Sequence, residues 1–482
     1  MLRAGPRRRS VRRVLLALAG AAALVAGAGV ASAHELATRE FTAPVPLWLV
    51  TGGAAATVAL TAAWVAVGDR VSAGDRAETV AAARPVVTVP GSVARPLALA
   101  VRLGFLALFV AALVHGLVGR QVAAENLATL VVWPLLLKGV ALVAVVAGSP
   151  WRVLSPWETL YDGLVALEGR PVALRGAYPE RLGAWPALAG FVLLVGVVEN
   201  LTVATRSPGL TVAVAAGYAV VMLAGAAAYG REWFARADAL AVLFDLLGRV
   251  APLSVRRDDR GGLAVVARPP WRGATAPLAD ASLVAFAVAA VYTVSFDGFS
   301  ATRAYPALLA GAREAVGVAA ASIGLYAVGL VGFLATFAAV AALGERLGAG
   351  SAEQPHGEPT GWRASARVFG ATVLPIAAAY EVAHNYPYVA ANFGQTVAVV
   401  RDLALGSGLD PVSVLSWLPV GAFWASQVGL VVAGHVVAVV AAHRVAVERF
   451  GAGARRGHLP LAVAMVGYTA LSLWIVSRPL AG

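Results

Sequence analysis

The sequence predicts an all-α protein: a polytopic transmembrane helix bundle of about ten spans behind a cleaved N-terminal signal. Three observations predict it. The 482 residues are 59% hydrophobic and only 13% charged, whereas soluble domains are about one quarter charged. Apolar runs of about twenty residues recur, the length needed to cross a bilayer. The arginines collect between those runs, on alternate sides.

Residues 1–33 read as an export signal. Arg7, Arg8, Arg9, Arg12 and Arg13 form a basic front, Val14 to Val30 an apolar middle, and Ala31-Ser32-Ala33 a small-residue cleavage site. Ser10 ahead of Arg12-Arg13 and Leu15-Leu16 fits the twin-arginine route. Cleavage would start the mature chain at His34. The competing reading is an uncleaved signal anchor that adds a helix.

Residues 34–482 form the transmembrane domain. Hydropathy places spans near 45–68, 97–118, 128–148, 186–205, 209–229, 280–299, 316–343, 366–389, 417–441 and 458–477. A cleaved signal leaves the mature N-terminus outside an inner (cell) membrane. The loops that alternation then puts inside, with Arg367, carry 23 arginines, against seven outside. The positive-inside rule gives the same topology. The net charge of +12 is therefore an orientation signal, and the partner it implies is the lipid bilayer, not nucleic acid.

Three inner loops have character. In loop 149–185, Leu160, Leu164 and Leu167 predict a short helix lying on the membrane surface. Loop 230–279 predicts a second surface helix running through Leu243, Phe244 and Leu247, then a hairpin at Gly261 to Val266. Loop 344–365, rich in Gly, Pro and Glu, reads as mobile.

Ionisable groups inside spans are costly, so each needs a reason. Lys138, the only lysine, sits mid-span and must find a partner or lose its proton. His115, Glu199, Asp297, Glu381 and His384 each lie about 13 to 18 residues past the inner end of their span, roughly 20 to 27 Å along the helix. All five reach one level, which predicts a shared polar pocket in the outer half of the membrane. Asn200, Tyr380 and Asn385 are its candidate hydrogen-bond partners. The alternative is that each acid pairs locally or reaches headgroup water.

Glu381 and His384, three residues apart, share a helix face. Glu-x-x-His also holds metals in some bundles. Imidazole with carboxylate suits a divalent zinc, iron or manganese ion, with His384, Glu381 and His115 as ligands. The absence of cysteine removes thiolate ligands, disulfides and cysteine nucleophiles. His34 is a candidate copper ligand. His435 and His443, eight residues apart, point to one side of their helix. They read as haem ligands, proton-relay members or packed histidines.

The chain resembles bacterial integral membrane proteins labelled fenitrothion hydrolase-like. The resemblance rests on Ala33-His34, Pro44 to Leu49, Asn126, Ser155-Pro156-Trp157, Tyr178 to Pro186, Phe296-Asp297-Gly298-Phe299, Ala383-His384-Asn385-Tyr386 and Gly434-His435 through His443. It implies hydrolysis of organophosphate-type esters, a small-molecule substrate. Ser155 stands where the family pattern has asparagine. Pro387 should kink or end the helix carrying His384.

Three functions follow. The first is a metal-dependent hydrolase, with Glu381, Asp297, Glu199 and Lys138 as catalytic candidates and a metal supplying hydroxide. The second is an ion-coupled transporter or permease using the intramembrane acids. The third is a haem or copper protein. No G-x-S-x-G motif supports a serine hydrolase.

Overall fold

The computed structural model describes residues 47–68, 85–257, 261–349 and 360–476. The signal, His34 and most of the loop read as mobile lie outside the described residues. The described chain is an all-α bundle with one small sheet.

The main helices are α1 (Leu47–Gly68), α2 (Gly91–Val118), α3 (Leu127–Ala147), α4 (Pro156–Glu168), α5 (Trp185–Phe191, continued by a π-helical segment Val192–Glu199) and α6 (Pro208–Tyr229). They continue as α7 (Glu232–Ala237), α8 (Ala239–Gly248), α9 (Ala281–Ser300), α10 (Ala304–Val316), α11 (Val318–Ala349), α12 (Trp362–Thr372), α13 (Leu374–Leu405), α14 (Val420–Phe450) and α15 (Ala454–Val476). Among the described residues, eight stretches are long and apolar enough to cross a membrane. Two of these hold a helix pair each: α12 with α13, and α14 with α15. The protein is therefore a multi-pass membrane protein.

Burial separates lipid-facing from central helices. Only 11% of the most apolar stretch of α2 and of α11 is buried, against 83% of α9. In lipid an apolar surface needs no cover, so exposed Leu and Val on α2 are expected, while α9 is enclosed by protein. α13 packs on α3, α9 and α14, and α8 on α3 and α5.

The sheet has the order β1-β3-β2, all antiparallel, with β1 at Pro85–Val89, β2 at Leu253–Arg257 and β3 at Leu263–Ala267. The residues expected to form a hairpin, Gly261 to Val266, fall on β3, which pairs with β2 before it, and β1 is an addition. Val87 and Val255 both pair with Val265. The loop after α1 and the loop after α6 therefore lie on one face, the arginine-rich one.

On α4, Leu160, Leu164 and Leu167 are exposed while Trp157 and Tyr161 are buried, the amphipathic pattern expected of a surface helix. Ser155 caps it, its Oγ accepting from the Glu158 N–H at 3.2 Å, so serine serves as well as asparagine there. The second surface-helix expectation is corrected. The segment breaks at Asp238 into α7 and α8, and Leu243, Phe244 and Leu247 are 7%, 0% and 2% exposed. At ten residues α8 is too short to cross a bilayer. Apolar and buried everywhere except at Asp245, it inserts into the bundle instead of lying on it.

Pro387 does not end its helix, because α13 continues to Leu405. The proline leaves the Ala383 carbonyl without its intrahelical donor. Gln427 Nε2 on α14 donates to that carbonyl at 3.2 Å. A neighbouring helix thus supplies the missing bond, as lipid requires.

Candidate functional site

Four helices bring one charged cluster together. Lys138 sits near the end of a π-helical segment, Val131–Gly139, within α3. Pro134 inside it lacks an N–H, so the α-helical ladder cannot pass unbroken. Glu199 ends the π-helical segment of α5. The side chains of Asn200 and Thr202 donate back to the Val195 and Val198 carbonyls at 3.0 and 2.6 Å, closing that helix end. π-Helical turns are rare and concentrate at functional sites.

The geometry is that of a chain of charges. Lys138 Nζ lies 3.1 Å from Glu199 Oε1 and 3.9 Å from Asp297 Oδ2. His384 Nε2 lies 3.3 Å from the same Asp297 oxygen. Lys138, Glu199, Asp297 and Glu381 are each at most 4% exposed; His384 is partly exposed. Two glycines permit close helix contacts around the cluster, Gly298 between α9 and α13 and Gly196 between α5 and α11. A Cβ on Gly298, beside Asp297, would meet the Tyr380 hydroxyl at 2.6 Å, and one on Gly196 would collide with the Tyr326 ring.

Glu381 lines a cavity of about 20 Å³ together with Lys138, Asn200, Thr293 and Asp297, and Leu243 and Leu247 of α8 form part of its apolar wall. Among the described residues Glu381 makes no hydrogen bond and no ion pair within 4 Å. The Asn200 Oδ1 atom likewise has no hydrogen-bond partner.

The remaining candidates are placed as follows. The Tyr380 ring lies 6.0 Å from that of His384. Asn385 is wholly buried, and neither its Oδ1 nor its Nδ2 has a partner among the described residues. Tyr388, one turn past His384, is an electrostatic neighbour of Glu199, Lys138 and Asp297. His115 is not brought to this cluster by any contact seen among the described residues. Its Nδ1 accepts from the Leu127 N–H at 3.2 Å, joining α2 to the start of α3. His435 Nδ1 donates to the Val431 carbonyl at 2.8 Å, with its ring 5.7 Å from Tyr468. His443 stands edge-on to His458 at 5.3 Å.

A divalent metal does not fit this arrangement. No three His, Cys, Asp or Glu side chains among the described residues group closely enough to hold one. The positive charge seated between Glu199 and Asp297 is the lysine ammonium.

A further acid, outside this cluster, is equally enclosed. Asp238, 0% exposed, precedes α8 and caps it. Its Oδ2 accepts from the indole N–H groups of Trp151 (3.0 Å) and Trp157 (2.7 Å). Its Oδ1 accepts from the Tyr218 hydroxyl (2.8 Å) and the Leu240 N–H (2.9 Å). Burial pushes its pKa up, against the pull of these donors. Nearby, Asp162 bridges Arg102 and Arg231. Glu158 lies 4.0 Å from Arg231. Burial and the Asp238 charge push Glu158 up to about 7.

Comparison of the chain with protein-family models, with curated proteins and with solved structures returns no match.

Proposed function

We propose that this protein is a cation-coupled membrane carrier, in which protonation and charge pairing within the Lys138–Glu199–Asp297–His384–Glu381 cluster drive solute movement. One observation carries the reading: five ionisable side chains from four separate helices share one site, four of them linked by ion pairs and Glu381 an electrostatic neighbour of Lys138, Asp297 and His384. Asp297 stands between the Lys138 ammonium and the His384 imidazole. A proton gained or lost within the cluster changes which pair is worth keeping. Intramembrane ionisable groups of this kind mark ion and proton paths.

The fit to ester hydrolysis is poorer. The lysine stands where an activating metal would be needed, and the cavity beside the acids has room for one water-sized particle. An organophosphate ester is many times larger. The resemblance to fenitrothion hydrolase-like proteins remains the support for that alternative. The distribution of arginines supports a cytoplasmic arginine-rich face in an inner membrane.

Proteoliposomes holding a trapped pH-sensitive dye test the proposal against a panel of small solutes. The expected result is dye-reported proton movement on addition of some solutes, abolished by Asp297→Asn. Cleavage of a nitrophenyl phosphotriester, with no proton movement for any solute, would overturn the carrier reading in favour of the hydrolase.

A further inference from the structure

We propose that Arg249, Arg268 and Arg367 form a binding site for the headgroup phosphate of an anionic phospholipid, in the leaflet on the arginine-rich face. The site lies apart from the charged cluster and does not depend on the carrier reading.

Position gives the first argument. The three arginines come from separate places in the chain: the end of α8, the residue after β3, and α12. Backbone carbonyls draw them into one row. Arg268 donates through Nη2 to the carbonyl of Gly248, the residue before Arg249, and through Nε to that of Ala251 at 2.9 Å. Arg249 donates through Nε to Gly273 at 3.2 Å and through Nη2 to Ala276 and Pro277. Arg367 donates through Nε to the next carbonyl, that of Leu278, at 2.9 Å. This loop, 271–278, leads into the spanning helix α9, and α12 opens the apolar stretch that continues into α13. The row thus sits where spans meet headgroups. Trp271 begins the loop, with Arg444 Cζ 5.5 Å from its ring centroid, and tryptophan favours that depth.

Charge gives the second. Every acceptor just named is neutral. Among the described residues none of the three arginines forms an ion pair. The acids nearest in sequence are used elsewhere. Asp245, one turn before Arg249, turns to Ser149 and Arg152. Asp280 caps α9, accepting from the Leu283 N–H at 3.0 Å and from the Ser282 hydroxyl. The three arginines are half-buried. Burial, and then the charge of Arg268, disfavour the Arg249 cation. Half-buried like charges without a counter-ion call for an anion.

The unused donors give the third. Arg249 and Arg268 meet carbonyls only through Nε and Nη2, and Arg367 only through Nε. The Nη1 groups of all three are left for a ligand. Guanidinium forks match phosphate oxygens. The carbonyls fix those forks beforehand, so little side-chain freedom is lost on binding. Basic pockets between helices on the cytoplasmic side suit acidic lipid headgroups.

The test uses the full-length protein in detergent, with phosphatidylglycerol, phosphatidylcholine or inorganic phosphate added. Native mass spectrometry follows bound lipid, and unfolding midpoints report its effect. The expected result is saturable binding of phosphatidylglycerol, with a midpoint rise that phosphatidylcholine does not reproduce. Arg249→Gln and Arg268→Gln should each weaken that binding at least about tenfold. Arg257→Gln, at an exposed arginine of β2, should leave it unchanged. If Arg249→Gln fails to fold, Arg367→Gln, which gives up a single carbonyl bond, carries the same test. Equal binding of both lipids by the wild type would overturn the inference. A loss in Arg257→Gln as large as in Arg249→Gln would also overturn it, because the attraction would then belong to the whole face. Inorganic phosphate that displaces the lipid and raises the midpoint as far by itself would overturn the lipid assignment in favour of a soluble anion.

Discussion

Lys138 and Glu199 meet at 3.1 Å, and each stands in the last turn of a π-helical segment in its own helix. Removing the lysine leaves two buried carboxylates facing each other. Lys138→Met should therefore destabilise the protein by about 3–5 kcal/mol, the usual result of breaking a buried pair from one side. Lys138→Met combined with Glu199→Gln should recover much of that loss. Thermal unfolding of the single and double variants in detergent checks both.

Asp238 holds two indoles and one phenol at once. Asp238→Ala strands three buried donors, each worth about 1–3 kcal/mol when unsatisfied, and removes the cap of α8. The expected outcome is failure to accumulate, or a large fall in unfolding midpoint. Asp238→Asn keeps one acceptor and should fall between that variant and wild type.

Glu158 sets a pH dependence with a definite sign. Its folded-state pKa, about 7, lies above the ordinary 4.5. Its contribution is fully present below about pH 4.5 and is lost as pH rises through about 7. The groups around it are Asp162 on its own helix, Arg102 on α2, and Arg231 and Asp238 beside α7. The full effect is about 3 kcal/mol. Unfolding midpoints measured across that range should decline in wild type and flatten in Glu158→Gln.

Gln427 replaces the backbone donor that Pro387 lacks. Gln427→Leu should cost about 1 kcal/mol. In a Pro387→Ala background, where residue 387 regains its N–H, the same change should cost close to nothing. A double-mutant cycle on unfolding free energies measures this coupling.

Much of this was legible in the sequence because lipid makes exceptions conspicuous. Apolar runs marked the helices, and the few acids inside them marked Glu199, Asp297 and Glu381 as neighbours before any coordinates. Lys138 escaped the common-depth argument because that argument counted only outward-running spans. Asp238 escaped because it lies outside any spanning run. Its signal was present all the same: an Asp followed by a short stretch that is apolar but for Asp245 is a capped helix too short to cross and too greasy to lie on a surface. Pro85 to Val89 carried a strand signal in its run of β-branched residues, but its partner β3 is remote in sequence. The His443–His458 contact needed the turn between α14 and α15 to be known.

β1 also imposes an order on biogenesis. It emerges from the ribosome after α1 and has no partner until β3 is made, four further spans later. Throughout that interval it is a bare β-branched edge exposed to other chains. Closure of the sheet is thus a late event, and it fastens the start of the chain to its middle only after the cluster-bearing α3 and α5 have been inserted.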